Sequence, residues 1–421
     1  TQEELLNVAR EHKRRGLPLD AIVIDFFHWT LQGDFRFEPR DWPDPDAMVK
    51  ELHDMGVETV VSVWPTVDER SRNYPFMAEH GYLVASDHGC SLNSTWMGNT
   101  TYFDATHPDA QKFVWEQCKE NYYQKGIRCF WLDEAEPEYG NYDFDNYRYY
   151  AGPALQCSNV YPVGYAKGFY EGLKEAGEEN VMSLIRCAWA GSQKYAVLTW
   201  SGDVYSSFRS MREQLQAGLS MGMAGIPWWT SDIGGFIGGQ PVDPAFRELL
   251  MRWFAWGCFC PVFRMHGERS PWYEREVEYI DNVRQLTSGQ PNEVWSFGEK
   301  VYEVLKKFLF LRERLRSYVR GLMKEASETG APVMRPLFFD FPSDPACWNV
   351  EDSYMFGPDL LVSPVMEAGA QQRSVYLPVG CRWTDAYTHQ TYEGGQTVTV
   401  PAPIDVIPVM VREGREYPIY D

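Results

Sequence analysis

The sequence lacks the features that identify several common classes of protein. No run of about 18 or more uninterrupted apolar residues occurs, so neither a membrane span nor a membrane partner is expected. Only 8 histidines are present, and no His-x-x-x-His spacing or EF-hand loop occurs. Since such spacings hold zinc and calcium, the sequence predicts no metal and no cofactor.

A disulfide framework is not expected either. The 9 cysteines are odd in number and lack paired spacing. Cys258 and Cys260 are separated by one residue, which is too close for the usual metal ligands, and we predict that both are buried in a strand. This use of cysteine favours a cytoplasmic protein over a secreted one. No signal peptide opens the chain, although Thr1 is expected to begin within the fold.

Basic residues are too few for a nucleic-acid partner. Lys and Arg number 39 against 59 Asp and Glu, a formal net charge of -20. Phosphates need basic partners, so the acidity excludes nucleic-acid binding and leaves a small-molecule partner, while a homo-oligomer stays open. The 16 Trp and 25 Tyr suit either a large core or the stacking of sugar rings, and composition alone favours the core.

The first two-thirds of the chain alternates short apolar runs with helical patterns. Helical patterns cover residues 2–14, 44–52, 107–125, 162–176, 211–221 and 244–256. Strands are predicted at residues 21–24, 57–63, 127–132, 181–185, 196–200, 225–229 and 258–263. Regular alternation of this kind predicts a parallel sheet.

A closed (β/α)8 TIM barrel is preferred to an open doubly wound sheet because no Gly-rich dinucleotide loop occurs. Seven strands precede residue 270, and the chain begins on a helix, so the first barrel strand is expected upstream of Thr1. Residues 301–327 predict one long amphipathic helix. We predict a catalytic barrel over residues 1–330 and a small antiparallel β-sandwich over residues 331–421, with β-like runs that include residues 337–339.

Polar or aromatic residues stand where the predicted strands end. In a barrel these ends share one face, which carries the catalytic groups. A single such Asp is usually a helix N-cap, but the regularity of the set favours a functional site. The set is Asp25, Trp64, Asp133, Arg186, Asp203, Asp232 and His266.

Two of these carboxylates suit the hydrolysis of a glycosidic bond. Asp133 ends an apolar strand and enters an acidic cluster, for which Arg186 is a plausible neutraliser. Asp203 follows Gly202, which permits a sharp turn or a close substrate approach. A pair of carboxyl groups about 5–5.5 Å apart supports a retaining mechanism, in which one attacks the sugar and the other protonates the leaving oxygen.

Several segments together resemble family 31 glycoside hydrolases. Residues 131–137 (WLDEAEP) match the Trp-x-Asp-x-x-Glu-Pro nucleophile motif of that family. The other resemblances are residues 200–203 (WSGD) to the acid/base motif, residues 190–195 to its approach, and residues 232–236 (DIGGF) and 264–267 (RMHG) to sugar-binding loops.

The resemblance implies a retaining exo-acting enzyme that hydrolyses terminal non-reducing α-linked sugars of a small oligosaccharide or glycoside. It makes Asp133 the nucleophile and Asp203 the general acid/base. It also implies residues that hold sugar hydroxyls (Asp25, Arg186, Asp232 and His266) and residues that wall the pocket (Trp64, Trp131, Trp200 and Phe208). A β-sandwich before the barrel is a further feature of the family, which makes this chain resemble a fragment.

The terminal sugar is predicted from the aromatic segments that follow Asp25. Residues 25–29 (DFFHW), 33–37, 41–45 and 62–65 resemble the α-xylosidase branch of the family. Xylose lacks the C6 hydroxymethyl group, so bulky rings beside C5 would exclude glucose. An α-glucosidase and an α-galactosidase are the alternatives within the family. A non-catalytic carbohydrate-binding barrel is the alternative from another class, and the presence of both carboxylates disfavours it.

Overall fold

The computed structural model describes residues 1–88, 98–139, 144–271, 279–280, 283–284, 289–417 and 419–420. The chain divides into two compact units, one of residues 1–199 with 274–287 and one of residues 200–273 with 288–421. Among the described residues, every helix is too short or too polar to cross a bilayer.

The helices are α1 (Gln2–Arg14), α2 (Pro45–Asp54), α3 (Tyr74–Glu79), α4 (Pro108–Asn121), α5 (Ala154–Cys157), α6 (Tyr161–Glu175), α7 (Phe208–Met223), α8 (Pro244–Gly257), α9 (Glu299–Arg314), α10 (Arg316–Thr329) and α11 (Leu337–Asp340). The strands before residue 231 are β1 (Ala21–Ile24), β2 (Glu58–Val63), β3 (Thr66–Asp68), β4 (Ala85–Ser86), β5 (Thr100–Tyr102), β6 (Cys129–Leu132), β7 (Tyr147–Tyr149), β8 (Gly152–Pro153), β9 (Ser183–Ile185), β10 (Val197–Trp200) and β11 (Trp229–Thr230). The later strands are β12 (Tyr279–Ile280), β13 (Val283–Arg284), β14 (Met334–Pro336), β15 (Tyr354–Phe356), β16 (Leu360–Val362), β17 (Gln372–Leu377), β18 (Arg382–Asp385), β19 (Thr391–Glu393), β20 (Gln396–Pro401) and β21 (Val409–Arg412).

Side-chain caps fix where several helices begin. Thr1 and Glu4 form a reciprocal capping box at the start of α1. Asp44 accepts a hydrogen bond from the backbone N–H of Ala47, with proline at the first position of α2. Each cap satisfies a backbone N–H that has no partner within its helix.

The first unit is built on parallel strands. β1, β2, β6, β9 and β10 lie side by side in that order, and each neighbouring pair is parallel. Because parallel strands share one carboxyl edge, the residues that follow them leave the sheet on the same side. Asp25, Trp64, Asp133 and Arg186 all leave the sheet at this edge.

The loops of the first unit contain short antiparallel strand pairs that were not predicted. β3 pairs with β5, and β7 pairs with both β4 and β8. β3 follows β2, and β7 and β8 lie in the connection between β6 and α6. These ladders give regular backbone structure to the long loops that follow β2 and β6.

The predicted strand at residues 258–263 is wrong. The backbone N–H groups of Cys258, Phe259 and Cys260 donate to carbonyls of α8, so the chain continues in turns beyond the helix. Only Val262 reaches β11, where its N–H donates to Trp229 O over 3.4 Å. Cys258 and Cys260 are buried as predicted, but in a turn instead of a strand.

The predicted helix over residues 301–327 is two helices, α9 and α10, that divide at Leu315. Leu315 is buried, and the Arg316 guanidinium turns back to Glu313 at 2.6 Å. Neither proline nor glycine marks the break, so the hydrophobic pattern runs through it unchanged.

The last ninety residues form antiparallel sheets around a common core. One sheet has the order β14-β15-β16-β21-β18-β19, and β17 pairs with β20 in a second. Core residues from both sheets include Met355, Leu361, Val375, Trp383 and Val400. Residues 337–339 lie in the short helix α11, which corrects the predicted β-like run there.

Arg252 connects α8 to this sheet domain within the second unit. Its side chain is 2% exposed, and its guanidinium donates to four backbone carbonyls. These carbonyls belong to Ala370, Ala402, Pro403 and Val406. The charge is therefore satisfied inside the protein by oxygens of the sheet domain.

Candidate active site

Asp133 stands at the end of β6 in the first unit. Its backbone N–H donates to Val63 O over 3.1 Å, which continues the ladder between β2 and β6 by one residue. The Asp133 side chain is buried, and Glu134 turns away from the strand with a left-handed φ of 53°. The Glu134 N–H donates to Asp133 Oδ1 over 2.9 Å, which fixes the carboxylate against its own loop.

Arg186 gathers four carboxyl groups around one guanidinium at the end of β9. The nearest nitrogen–oxygen separations are 3.6 Å to Asp133, 3.0 Å to Glu134 and 2.7 Å to Glu136. Glu138 accepts a further hydrogen bond from the same guanidinium. The predicted pairing of Asp133 with Arg186 is therefore present, within a larger cluster than the sequence indicated.

Burial opposes the ionisation of one carboxyl group in this cluster. Burial raises the pKa of Glu134 to about 9; Arg186 opposes this rise, and the negative Asp133 adds to it. Burial alone would lower the pKa of Arg186, but the four carboxyl groups together raise it. The guanidinium therefore stays charged beside Asp133.

The loop after β1 packs aromatic rings beside Asp25. The Asp25 carbonyl contacts the Nδ1 atom of the buried His28 at 2.8 Å, and His28 Nε2 lies 2.7 Å from the Tyr122 hydroxyl. Phe26 stacks on Trp64 with ring centroids 4.7 Å apart. The structure thus brings Asp25 and the predicted wall residue Trp64 together through Phe26.

Trp131, a predicted wall residue, is buried on β6. Asp133 follows Trp131 by two residues, with the fully buried Leu132 between them. Since side chains alternate along a strand, Trp131 and Asp133 point to the same face of β6.

A second cluster forms around Asp232 in the second unit. The fully buried Asp232 accepts a hydrogen bond from Arg264 through Oδ1, while Oδ2 has no hydrogen-bond partner among the described residues. Burial raises the pKa of Asp232 to about 6, Arg264 opposes the rise, and the negative Asp203 adds to it. Asp203 itself is exposed, three residues after the end of β10.

The other predicted residues of the second unit are Trp200, His266 and Phe208. The Arg264 guanidinium lies 5.5 Å from the ring of the buried Trp200, and His266 lies 5.3 Å from the Phe236 ring. Burial lowers the pKa of His266 well below its usual range, as do the nearby arginines, so its imidazole is neutral. Phe208 is half-buried as the first residue of α7.

Arg269 was missed by the sequence analysis. It is fully buried and donates to Gly235 O at 2.9 Å, Ile233 O at 3.2 Å and the side chain of Asn292 at 2.7 Å. These bonds hold the loop that carries Asp232. An arginine in a loop is ordinarily exposed to solvent, so nothing in the neighbouring sequence indicated that Arg269 would be buried.

The described residues contain no group of three or more side chains suited to holding a metal ion. The four carboxyl groups around Asp133 are engaged by Arg186.

Comparisons with family models cover most of the chain. The sequence model of the glycosyl hydrolases family 31 TIM-barrel domain matches residues 1–321, and that of the family 31 C-terminal domain matches residues 330–415. The chain belongs to glycosyl hydrolase family 31. The predicted barrel followed by a C-terminal β-domain is thereby confirmed.

Relatives within family 31 carry two kinds of name. An α-xylosidase of Saccharolobus solfataricus is 33% identical over 100% of this chain and 54% of its own length. An uncharacterised family 31 glucosidase of Pseudescherichia vulneris is 63% identical over 64% of this chain and 51% of its own length. The chain therefore spans about half the length of these curated relatives.

A solved family 31 structure superimposes closely. It is an α-xylosidase from a soil metagenome in complex with xylose, 58% identical, with a TM-score of 0.97. The match covers 99% of this chain and 61% of that one. The chain therefore shares its backbone arrangement with an enzyme whose sugar complex is known.

Proposed function

We propose that this protein is a retaining exo-α-glycosidase that releases terminal α-linked xylose. The observation that carries the proposal is the cluster at the end of β6, in which the buried Arg186 guanidinium contacts the buried Asp133 and three glutamates. A carboxylate held in this way is oriented and kept ionised, as a nucleophile must be. Membership of family 31 and the 58% identity to an α-xylosidase support the same reaction.

In the proposed reaction Asp133 attacks the anomeric carbon of the terminal sugar while Asp203 protonates the departing oxygen. A glycosyl-enzyme ester forms, and the leaving group departs as an alcohol. Asp203, now ionised, takes a proton from water, and the water oxygen displaces Asp133. The exposure of Asp203 suits this second role because water must reach it.

The remaining charged groups bind the sugar in this proposal. Asp232 Oδ2, which has no hydrogen-bond partner among the described residues, accepts a hydrogen bond from a sugar hydroxyl, and Asp25 is assigned the same role. The neutral imidazole of His266 both donates and accepts, which suits a hydroxyl better than a charged ligand.

Selectivity for xylose is proposed to come from the rings after Asp25. Phe26 is stacked on Trp64, so it cannot move aside without losing that contact. A ring fixed beside C5 would clash with a hydroxymethyl group and would leave xylose undisturbed. Discrimination of this kind is worth roughly 1–3 kcal/mol.

An α-glucosidase is the second candidate. Its support is the relative in Pseudescherichia vulneris, which is 63% identical and is named a glucosidase. Asp133 and Asp203 would keep their roles, and only the volume beside C5 would differ.

The deciding experiment compares kcat/KM of the full-length protein for aryl α-xyloside and aryl α-glucoside. The proposal expects a preference for the xyloside, and expects Phe26→Ala to reduce that preference by roughly tenfold because space opens beside C5. Phe76→Ala, a change at an exposed ring of α3, is the control and should keep the wild-type ratio. A preference for the glucoside would establish the second candidate instead.

A further inference from the structure

Tyr205 presents an aromatic ring to solvent beside the predicted general acid/base. Its side chain is 67% exposed, and it follows Asp203 by two residues. Exposed single aromatics are common on protein surfaces and carry no meaning by themselves. The setting of Tyr205 is what distinguishes it, because its backbone is held firmly on both sides.

Backbone hydrogen bonds pin the segment around Tyr205 to the loop after Asp232. The Val204 carbonyl accepts from the N–H of Phe236 at 2.7 Å and from that of Ile237 at 3.0 Å. The Ser206 N–H donates to Ile237 O at 2.8 Å. Tyr205 is therefore exposed on a fixed backbone, and a ligand that stacks on it orders little more than one side chain.

Gly235 makes this close approach of the two loops possible. A Cβ at Gly235 would lie 2.6 Å from the Ser206 Cα and 2.8 Å from the Tyr205 carbonyl carbon, too close for any side chain. Its φ of 78° also favours glycine. The loop that carries Asp232 and the segment that carries Asp203 and Tyr205 are thus packed backbone against backbone.

The chemistry of the acid/base fixes what lies next to Asp203. A general acid must contact the glycosidic oxygen, and that oxygen is bonded to the first ring of the leaving group. Two residues of extended chain span at most about 7 Å, so the Tyr205 backbone lies within about one sugar ring of Asp203. An exposed ring at this distance is within reach of the part of the substrate that leaves.

We propose that Tyr205 is the aromatic platform on which the first sugar of the leaving group stacks, and that it selects saccharide leaving groups over small alcohols. The apolar C–H face of a pyranose packs on the tyrosine ring, while the sugar hydroxyls remain in water. This inference rests on the proposed glycosidase function and adds to it the class of leaving group.

The test compares two substrates that need Asp203 equally. Methyl α-xyloside has a leaving group without a ring, whereas a disaccharide of xylose α-linked to glucose offers a ring to Tyr205. Tyr205→Ala should lower kcat/KM for the disaccharide by roughly three- to tenfold and change that for the methyl glycoside by less than about twofold. Tyr205→Phe keeps the ring and should behave as the wild type with both substrates.

A matched control is Tyr387→Ala, because Tyr387 is also an exposed tyrosine of the second unit but lies in the C-terminal sheet domain. It should leave both substrates unaffected. An equal loss of activity of Tyr205→Ala on both substrates would show that Tyr205 only supports Asp203, and no loss on either would show that it contacts no leaving group. Both results overturn the inference.

The wild-type enzyme decides the proposed function separately. If it prefers glucose as the terminal sugar, the same pair of substrates is made with α-glucosyl in place of α-xylosyl, and the role of Tyr205 is tested unchanged. If the wild type hydrolyses neither series, the glycosidase proposal fails and the inference fails with it.

Discussion

Asp133 and Asp203 are proposed for different roles. Substrates whose leaving groups differ in their need for a proton can distinguish these two roles. Fluoride departs without a proton, so α-xylosyl fluoride does not need an acid to form the glycosyl-enzyme. Asp203→Ala should therefore retain a much larger share of its activity in this step than on methyl α-xyloside. Asp133→Ala should lose both, because every substrate needs the nucleophile. Pre-steady-state release of fluoride measures the step, and equal losses in the two variants would contradict the assignment.

Glu134 provides a prediction that depends on its protonation. Its pKa is raised to about 9, so Glu134→Gln replaces one neutral group with another of similar shape. We expect kcat/KM at pH 6 to change by less than about threefold. Arg186→Met, the contrasting change, leaves Asp133 buried without its cation and should lose most activity. A loss in Glu134→Gln as large as that in Arg186→Met would mean that Glu134 acts as a carboxylate.

The sequence was sufficient to predict which residues form this cluster, but not the pKa values of its carboxyl groups. An acidic cluster after an apolar strand, followed by an arginine at a later strand end, was enough to predict that Asp133 and Arg186 meet. The raised pKa of Glu134 comes mainly from its burial, which is not a local property of the sequence. Arg269 was missed for the same reason, since its burial is set by the loops around it.

At the scale of elements, the contact between the two loops of the second unit can be tested with glycines. Gly235 and Gly238 both have positive φ, but a Cβ at Gly235 meets Ser206 whereas a Cβ at Gly238 meets nothing within 4 Å. Alanine costs about 1 kcal/mol at either site for its backbone conformation. Only Gly235→Ala must also push the loops apart, and small displacements near a reacting centre are costly.

We therefore expect Gly235→Ala to lower kcat/KM at least about tenfold more than Gly238→Ala does. Thermal unfolding of both variants gives the matching comparison of stability, in which Gly235→Ala should be the less stable. Equal effects of the two substitutions on activity would indicate that the close approach of the loops is unimportant for the reaction.

The elements that were predicted wrongly share a cause. Residues 258–263 have the composition of a buried strand, yet the turns that follow α8 satisfy their backbone N–H groups first. The break at Leu315 has no proline or glycine, so the apolar periodicity carries across it. In both places the amino acids are buried as expected, and the element is decided by local backbone hydrogen bonds that an apolar pattern does not reveal.

For the whole molecule, buried histidines predict a loss of stability in acid. Burial lowers the pKa of His28 to about 4, below the value near 6.5 of an unfolded chain. The unfolded chain therefore binds the proton more readily, so this contribution to stability is complete above about pH 6.5 and is lost as the pH falls toward 4. The full effect is about 3 kcal/mol.

Urea unfolding midpoints of the wild type and of His28→Gln, measured at pH 7 and pH 4.5, provide the test. His28→Gln should be less stable at pH 7, because it loses the contact with Tyr122, but should lose less on acidification than the wild type. The exposed His80→Gln is the control and should keep the wild-type dependence on pH. If His28→Gln also keeps that dependence, other groups govern the acid transition.

The Arg252 contacts bear on how such proteins can be recombined. A chimera that exchanges only the C-terminal sheet domain between family members would place foreign backbone around this guanidinium, which needs carbonyls at four particular places. Crossover points placed between residues 321 and 330, where the two family domains meet in sequence, would therefore yield poorly folded hybrids unless the donor also supplies α8. Helix and sheet domain are better inherited, and better engineered, as one piece.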